Sequence, residues 1–143
     1  MNGIMHMATN AKIEVIIPLA SRQVAKDWPQ MCRILQSTLT SVLVLPDDFV
    51  SISILGHECP DNLPLGNRCH WTTVGWVAPK QSDVAGKLND KGMKIRQGVQ
   101  TAFAQGAEWV MFLDADDLLS NRLPESCDLA NHDAVCFENG YSW

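Results

Sequence analysis

A chain of 143 residues with 46% apolar and 19% charged content is long enough for one globular domain with its own core, which needs neither disulfides nor a metal to hold it. The formal net charge of −5 argues against nucleic acid as the main partner, because phosphate backbones are bound by clustered Lys and Arg. The stretch MNGIMHMATNAKIE lacks a basic region followed by an apolar run, and the most apolar long window, TLTSVLVLPDDFVSISIL, is broken by Pro46, Asp47 and Asp48; neither a secretory signal nor a transmembrane helix is expected.

Residues 1–11 read as a flexible N-terminus, and a single domain is expected over 12–143. KIEVIIP (Lys12 to Pro18) is a short β-branched run ended by proline, and so a buried first strand. Asp27 stands where an N-cap should, with Trp28 and Pro29 in the first turn. Met31, Ile34, Leu35, Thr38 and Val42 then repeat at helical spacing. FVSISIL (Phe49 to Leu55) is the second strand, and GHECPDNLPLGNRCHW is a Gly-, Pro- and Asn-rich loop. TTVGWV is a short third strand. Asp90 caps a second helix whose inner face carries Ile95, Val99, Ala102 and Phe103, with Gly106 as its C′ glycine. EWVMFL follows as a strand buried on both faces, then a short helix in LPESCDLAN and a last strand, DAVCFE. The order β-α-β-(β)-α-β-α-β predicts an α/β fold: a mostly parallel sheet covered by helices on both faces, with ligands outside the carboxyl ends of its strands.

At one such end an apolar run meets three carboxylates, Asp114, Asp116 and Asp117. Like charges so close repel, and a divalent hard cation relieves them; Mg²⁺ is typically held by one or two carboxylates together with substrate phosphates. A strand continuing through Asp116 would place the Asp114 and Asp116 side chains on one face. The plainer reading is a solvated turn with Asp117 as N-cap of a helix at LLSN. An isolated D-x-D favours that plainer reading; an apolar strand leading into it within an α/β pattern favours a site. A P-loop is excluded because AGKLND carries Leu88 where Ser or Thr is needed, and an EF-hand because Leu119 stands at the glycine position.

Three segments resemble a family 2 glycosyltransferase of the GT-A, nucleotide-sugar-binding fold: IEVIIPLASR, KGMKIRQGVQTAFAQGAEW and, most specifically, VMFLDADDLLSNRL. The resemblance implies a Rossmann-like GT-A domain and Mn²⁺ or Mg²⁺ held by Asp116 and Asp114, with Asp114 also placed to contact the donor ribose. Asp117 either assists or is only a cap. It implies that Pro18 shapes the nucleoside pocket and that Lys91, Lys94 or Arg96 faces the diphosphate, although exposed lysines on a helix are more often simply solvated. Glu58 or Asp61 takes the place of the acidic residues that read the base at the end of the second strand. The implied partners are a nucleotide-diphosphate sugar donor, a UDP-sugar first among them, and a carbohydrate or other hydroxyl acceptor. The implied chemistry is an inverting transfer. The family's acceptor half, with its general base, lies beyond the D-A-D-D turn; only the donor and metal part is matched, and no residue is matched to the base.

Two other functions share these features. A haloacid-dehalogenase-type phosphatase also starts from an apolar strand and D-x-D, with Asp114 as nucleophile, but Leu118 stands where that family usually has Thr or Val. A non-catalytic nucleotide-binding or interaction module is the other.

The five cysteines are odd in number and scattered, which fits a reducing, cytoplasmic setting, with a peripheral place at a membrane also open. His57, Cys59, Cys69 and His70 are zinc-type ligands without the spacing of a zinc loop. Cys32 and Cys136 read as small buried apolar groups rather than nucleophiles. Trp71 and Trp76 are expected to pack or anchor loops more readily than to stack on a base or sugar. His6 and His132 have no partner identifiable from the sequence.

Overall fold

In the computed structural model, which describes residues 13–137 and residue 140, four strands form one all-parallel sheet. β1 is Ile13–Pro18, β2 Val50–Gly56, β3 Cys69–Thr73 and β4 Trp109–Phe112, and their order across the sheet is β3-β2-β1-β4. α1 (Trp28–Leu43) connects β1 to β2, α2 (Val84–Ala104) connects β3 to β4, and α3 (Leu123–Ser126) is a single turn. Alternation along β1 sends Val15 and Ile17 into a core with Leu35, Leu39 and Val42 of α1, and Ile16 into a second core with Leu55 and Ala102 of α2. Helices therefore cover both faces of a small, Rossmann-like α/β domain. Strand order grows from β1 through β2 to β3 and then reverses to place β4 on the other side of β1, so a switch point opens between the carboxyl ends of β1 and β4.

Local chemistry explains the elements. Asp27 has an extended backbone and accepts a hydrogen bond from the Gln30 N–H, with Pro29 in the first turn, as the sequence predicts. At the other end of α1 the Arg68 guanidinium donates to the carbonyls of Leu43, Leu45, Pro46 and Val50, tying the helix end and the following turn to the start of β2. Its ion pair with Asp47 adds little, because Asp47 is 89% exposed. Arg68→Ala is expected to cost about 2 kcal/mol, read as a lower urea midpoint at unchanged slope. Inside β1, Glu14 is buried yet satisfied: its carboxylate oxygens accept from the hydroxyls of Ser51 and Ser53 on β2.

α2 starts about two turns before the position expected from Asp90. Its N-cap is Asp83, whose carboxylate accepts from the Gly86 N–H and fills the space a side chain at Gly86 would need. Its buried face is Asp90, Lys94, Gly98 and Ala102, not the expected Ile95, Val99, Ala102 and Phe103; of that set Ala102 is buried and Phe103 is 51% exposed. Gly98 decides this rotation. A Cβ there would lie 2.7 Å from Ile16 Cγ2 and 3.0 Å from Leu55 Cδ1, so its absence lets the helix sit close on the sheet. Gly98→Ala gains about 1 kcal/mol of helix propensity but overpacks that contact by roughly 1–3 kcal/mol; a net loss of about 1 kcal/mol in thermal or urea unfolding is expected. Gly106, at φ 92°, ends the helix as predicted, with the Gly106 N–H on the Phe103 carbonyl and the Ala107 N–H on the Ala102 carbonyl.

Other expectations are corrected. β3 begins at Cys69 rather than Thr72, since the register pairs Cys69 with Ile52 and Thr73 with Gly56. Among the described residues β4 pairs only with β1, so WVMF is an edge strand of half-buried residues ending in an exposed Phe112, not a strand buried on both faces. No helix starts at Asp117: residues 114–117 form a turn closed by the Asp117 N–H on the Asp114 carbonyl. The expected last strand does not form over residues 133–137, which are exposed and unpaired with the sheet; Glu138, like Lys12 and His6, lies outside the described residues. No described helix is long and apolar enough to cross a membrane.

Candidate functional site

A cavity of about 570 Å³ opens at the switch point, within the usual size range for small-ligand sites. Pro18 and Leu19 at the end of β1 form its floor, and the turn after β4 contributes Asp114, Ala115 and Asp116. The loop after β1 and the first turns of α1 give a mostly apolar wall that includes Val24, Ala25, Met31 and Ile34. α2 supplies the opposite wall. Lys87, Asp90, Lys91 and Lys94 all line the cavity, and their spacing places them on one stripe of the helix. The lower half of α2 packs on the sheet through Gly98 and Ala102; its upper half runs past the strand ends and carries this charged stripe into the crevice.

The acidic turn is positioned by α1. Thr38, fully buried in mid-helix, donates its hydroxyl to the Ala115 carbonyl at 2.8 Å, and Ser41 Oγ accepts from the Leu119 N–H at 3.0 Å. The Leu113 N–H still reaches the Ile16 carbonyl, so the turn begins directly where the ladder ends. Carboxylate oxygens of Asp114, Asp116 and Asp117 all lie within 4.8 Å of one another, on exposed side chains. The turn, rather than a continuing strand, brings them together. Among the described residues no other group of three or more His, Cys, Asp or Glu side chains is so arranged. Such an oxygen-only donor set suits Mg²⁺ or Mn²⁺ and does not suit zinc.

The two lysines expected at a diphosphate differ sharply. Lys91 Nζ lies 2.6 Å from Asp114 Oδ1, and both side chains are about half exposed, at 46% and 50%. Lys94 is 1% exposed: its ammonium donates to Asp90 Oδ2 at 2.6 Å and to the Leu19 carbonyl at 2.7 Å, tying α2 to the end of β1. Asp90 is thus not a helix cap but the buried partner of Lys94, and its other oxygen accepts from Trp76 Nε1 at 2.8 Å. His57 Nε2 sits 3.8 Å from that same oxygen and its ring meets Trp76 edge-on. The spacing of Asp90 and Lys94, one turn apart, was the available signal for this pair.

Several expected site residues lie elsewhere. Glu58 does not line the cavity; its carboxylate accepts from the Arg22 backbone N–H and tethers the loop after β1. Asp61 and Arg96 are exposed and also outside the lining. Trp71 packs against the α1-side core and donates to Thr73, and Trp76 serves Asp90, so neither lines the cavity. His57, Cys59, Cys69 and His70 do not converge as a metal group. All five cysteines are free. Burial pushes the Cys69 thiol up to about 11, with Glu14 adding to the effect, and burial also raises Cys32, Cys59 and Cys127. These four are the reverse of activated nucleophiles, although only Cys69 is deeply buried; Cys32 is half-buried and Cys59 exposed, as is Cys136, against the expectation that Cys136 is buried. His132 has a neighbour the sequence did not reveal, the Asp128 carbonyl, 2.8 Å from its Nδ1.

No family model, no curated protein and no solved structure matches this chain.

Proposed function

We propose that this domain binds a nucleoside-diphosphate sugar with the help of a divalent cation, Mn²⁺ or Mg²⁺, and serves the transfer of the sugar to an acceptor hydroxyl, as a glycosyltransferase. One observation carries the reading. The end of β1, the acidic turn after β4 and the lysine stripe of α2, three segments that each resemble part of a family 2 glycosyltransferase, line a single cavity at the switch point of the sheet. Asp116 and Asp114 would hold the cation, which when bound offsets the charge of a departing diphosphate. Lys91, with Lys87 beside it, is placed to meet phosphate oxygens. Pro18, Val24, Ala25, Met31 and Ile34 offer the apolar surface a nucleoside needs. Lys94 acts differently from the expectation: its ammonium is spent on Asp90 and Leu19, so it shapes the floor beneath the ligand.

The test is calorimetric titration with UDP, GDP and their sugars, with and without Mn²⁺. Metal-dependent binding of a nucleoside diphosphate is expected. Absence of nucleotide binding under every condition would refute the proposal. A phosphoryl group trapped on Asp114 would instead indicate a phosphatase, and nucleotide binding with no transfer or hydrolysis for any acceptor would indicate a binding module.

A further inference from the structure

The Lys91–Asp114 pair leads to a property of the site that its assignment alone does not contain. The ammonium sits 2.6 Å from Asp114 Oδ1, on the turn where Asp114, Asp116 and Asp117 converge. Asp114 cannot keep this contact and also take a divalent cation without bringing two positive charges within a few ångströms of each other. Asp116, by contrast, makes no ion pair among the described residues and stays open to a cation. Lys91 projects from α2 into the same cavity, half exposed, on a long flexible stem. Leaving Asp114, it can reach an anion held there.

We infer that Lys91 and the divalent cation compete for Asp114, so that Lys91 couples cation binding to diphosphate binding. The inference rests on the cation reading given above. Diphosphate draws Lys91 away and leaves Asp114 to the cation; the cation displaces Lys91 and leaves it to the diphosphate. By linkage each ligand raises the affinity for the other, and the share of that coupling due to Lys91 disappears with its charge. Lys91 is then a brake on loading the cation without nucleotide.

The test is Mn²⁺ binding without nucleotide, followed by electron paramagnetic resonance of the free ion, in the wild type, Lys91→Met, Lys80→Met and Asp116→Ala. Lys80→Met removes the same charge from an exposed lysine outside the cavity lining. Lys91→Met is expected to bind Mn²⁺ about fivefold tighter than wild type, a range set by partly exposed ion pairs, with Lys80→Met within twofold of wild type. UDP binding at saturating Mn²⁺ should weaken in Lys91→Met by a similar factor. Mn²⁺ binding that Asp116→Ala abolishes but Lys91→Met leaves unchanged or weakens would overturn this inference and leave the cation reading standing. No Mn²⁺ binding in either the wild type or Lys91→Met, whether UDP is absent or present, would overturn both.

Discussion

Replacing Lys94 by methionine destabilises the domain by about 3–5 kcal/mol, the range for breaking a buried ion pair from one side. The side chain is 1% exposed, and its loss would leave the Asp90 carboxylate, 7% exposed, with only the Trp76 indole N–H as a close donor. The Leu19 carbonyl would lose its partner as well. Methionine matches the stem in length and leaves little cavity, so the cost is that of an uncompensated buried charge rather than of packing. Urea unfolding should show a lower midpoint, and Asp90→Leu combined with Lys94→Met should recover most of the loss. The same change at Lys91, one turn nearer solvent, should cost under about 1 kcal/mol because that pair is half exposed. Two neighbouring lysines on one helix thus separate by burial: Lys94 holds the fold of the site and Lys91 faces the open cavity.

Replacing Asp116 by alanine should weaken nucleoside-diphosphate binding in the presence of Mn²⁺ by about a hundredfold or more, since on the proposed reading the cation would lose the cavity carboxylate that has no lysine competing for it. Binding measured without Mn²⁺ should change little. Stability should stay within about 0.5 kcal/mol of wild type, because Asp116 is exposed and the turn is held by Thr38, Ser41 and backbone hydrogen bonds. Asp114→Ala should have a mixed effect: it would remove a proposed ligand for the cation and also release Lys91. Loss of metal dependence with intact folding separates a ligand role for Asp116 from a structural one.

The segments whose local chemistry is self-sufficient were legible in the sequence. Ile13–Pro18 and Val50–Gly56 are β-branched runs buried along nearly their whole length, and α1 carries its own cap in Asp27. The acidic turn was legible for the same reason, as three carboxylates stand next to an apolar run. What was not legible depends on neighbours. The composition of WVMF fits a central strand, but only the sheet order makes it an edge. Asp83 and Asp90 are equally good caps in isolation; the choice falls on Asp83 because Gly98 must meet Ile16 and because Asp90 is needed by Lys94. Glu58 stands in the right place along the chain to read a base, yet its carboxylate is turned to the Arg22 N–H. The apolar wall from Val24, Ala25 and α1 has no motif at all, since it arises from folding the loop after β1 over the strand ends.

The most direct measurement is a crystal structure of the protein with Mn²⁺ and UDP, with data collected at the manganese absorption edge. An anomalous peak between Asp114 and Asp116, with the diphosphate against Lys91 and the nucleoside along Pro18 and the apolar wall, is the predicted result. Manganese away from these two carboxylates, or nucleotide bound outside this cavity, would contradict the account.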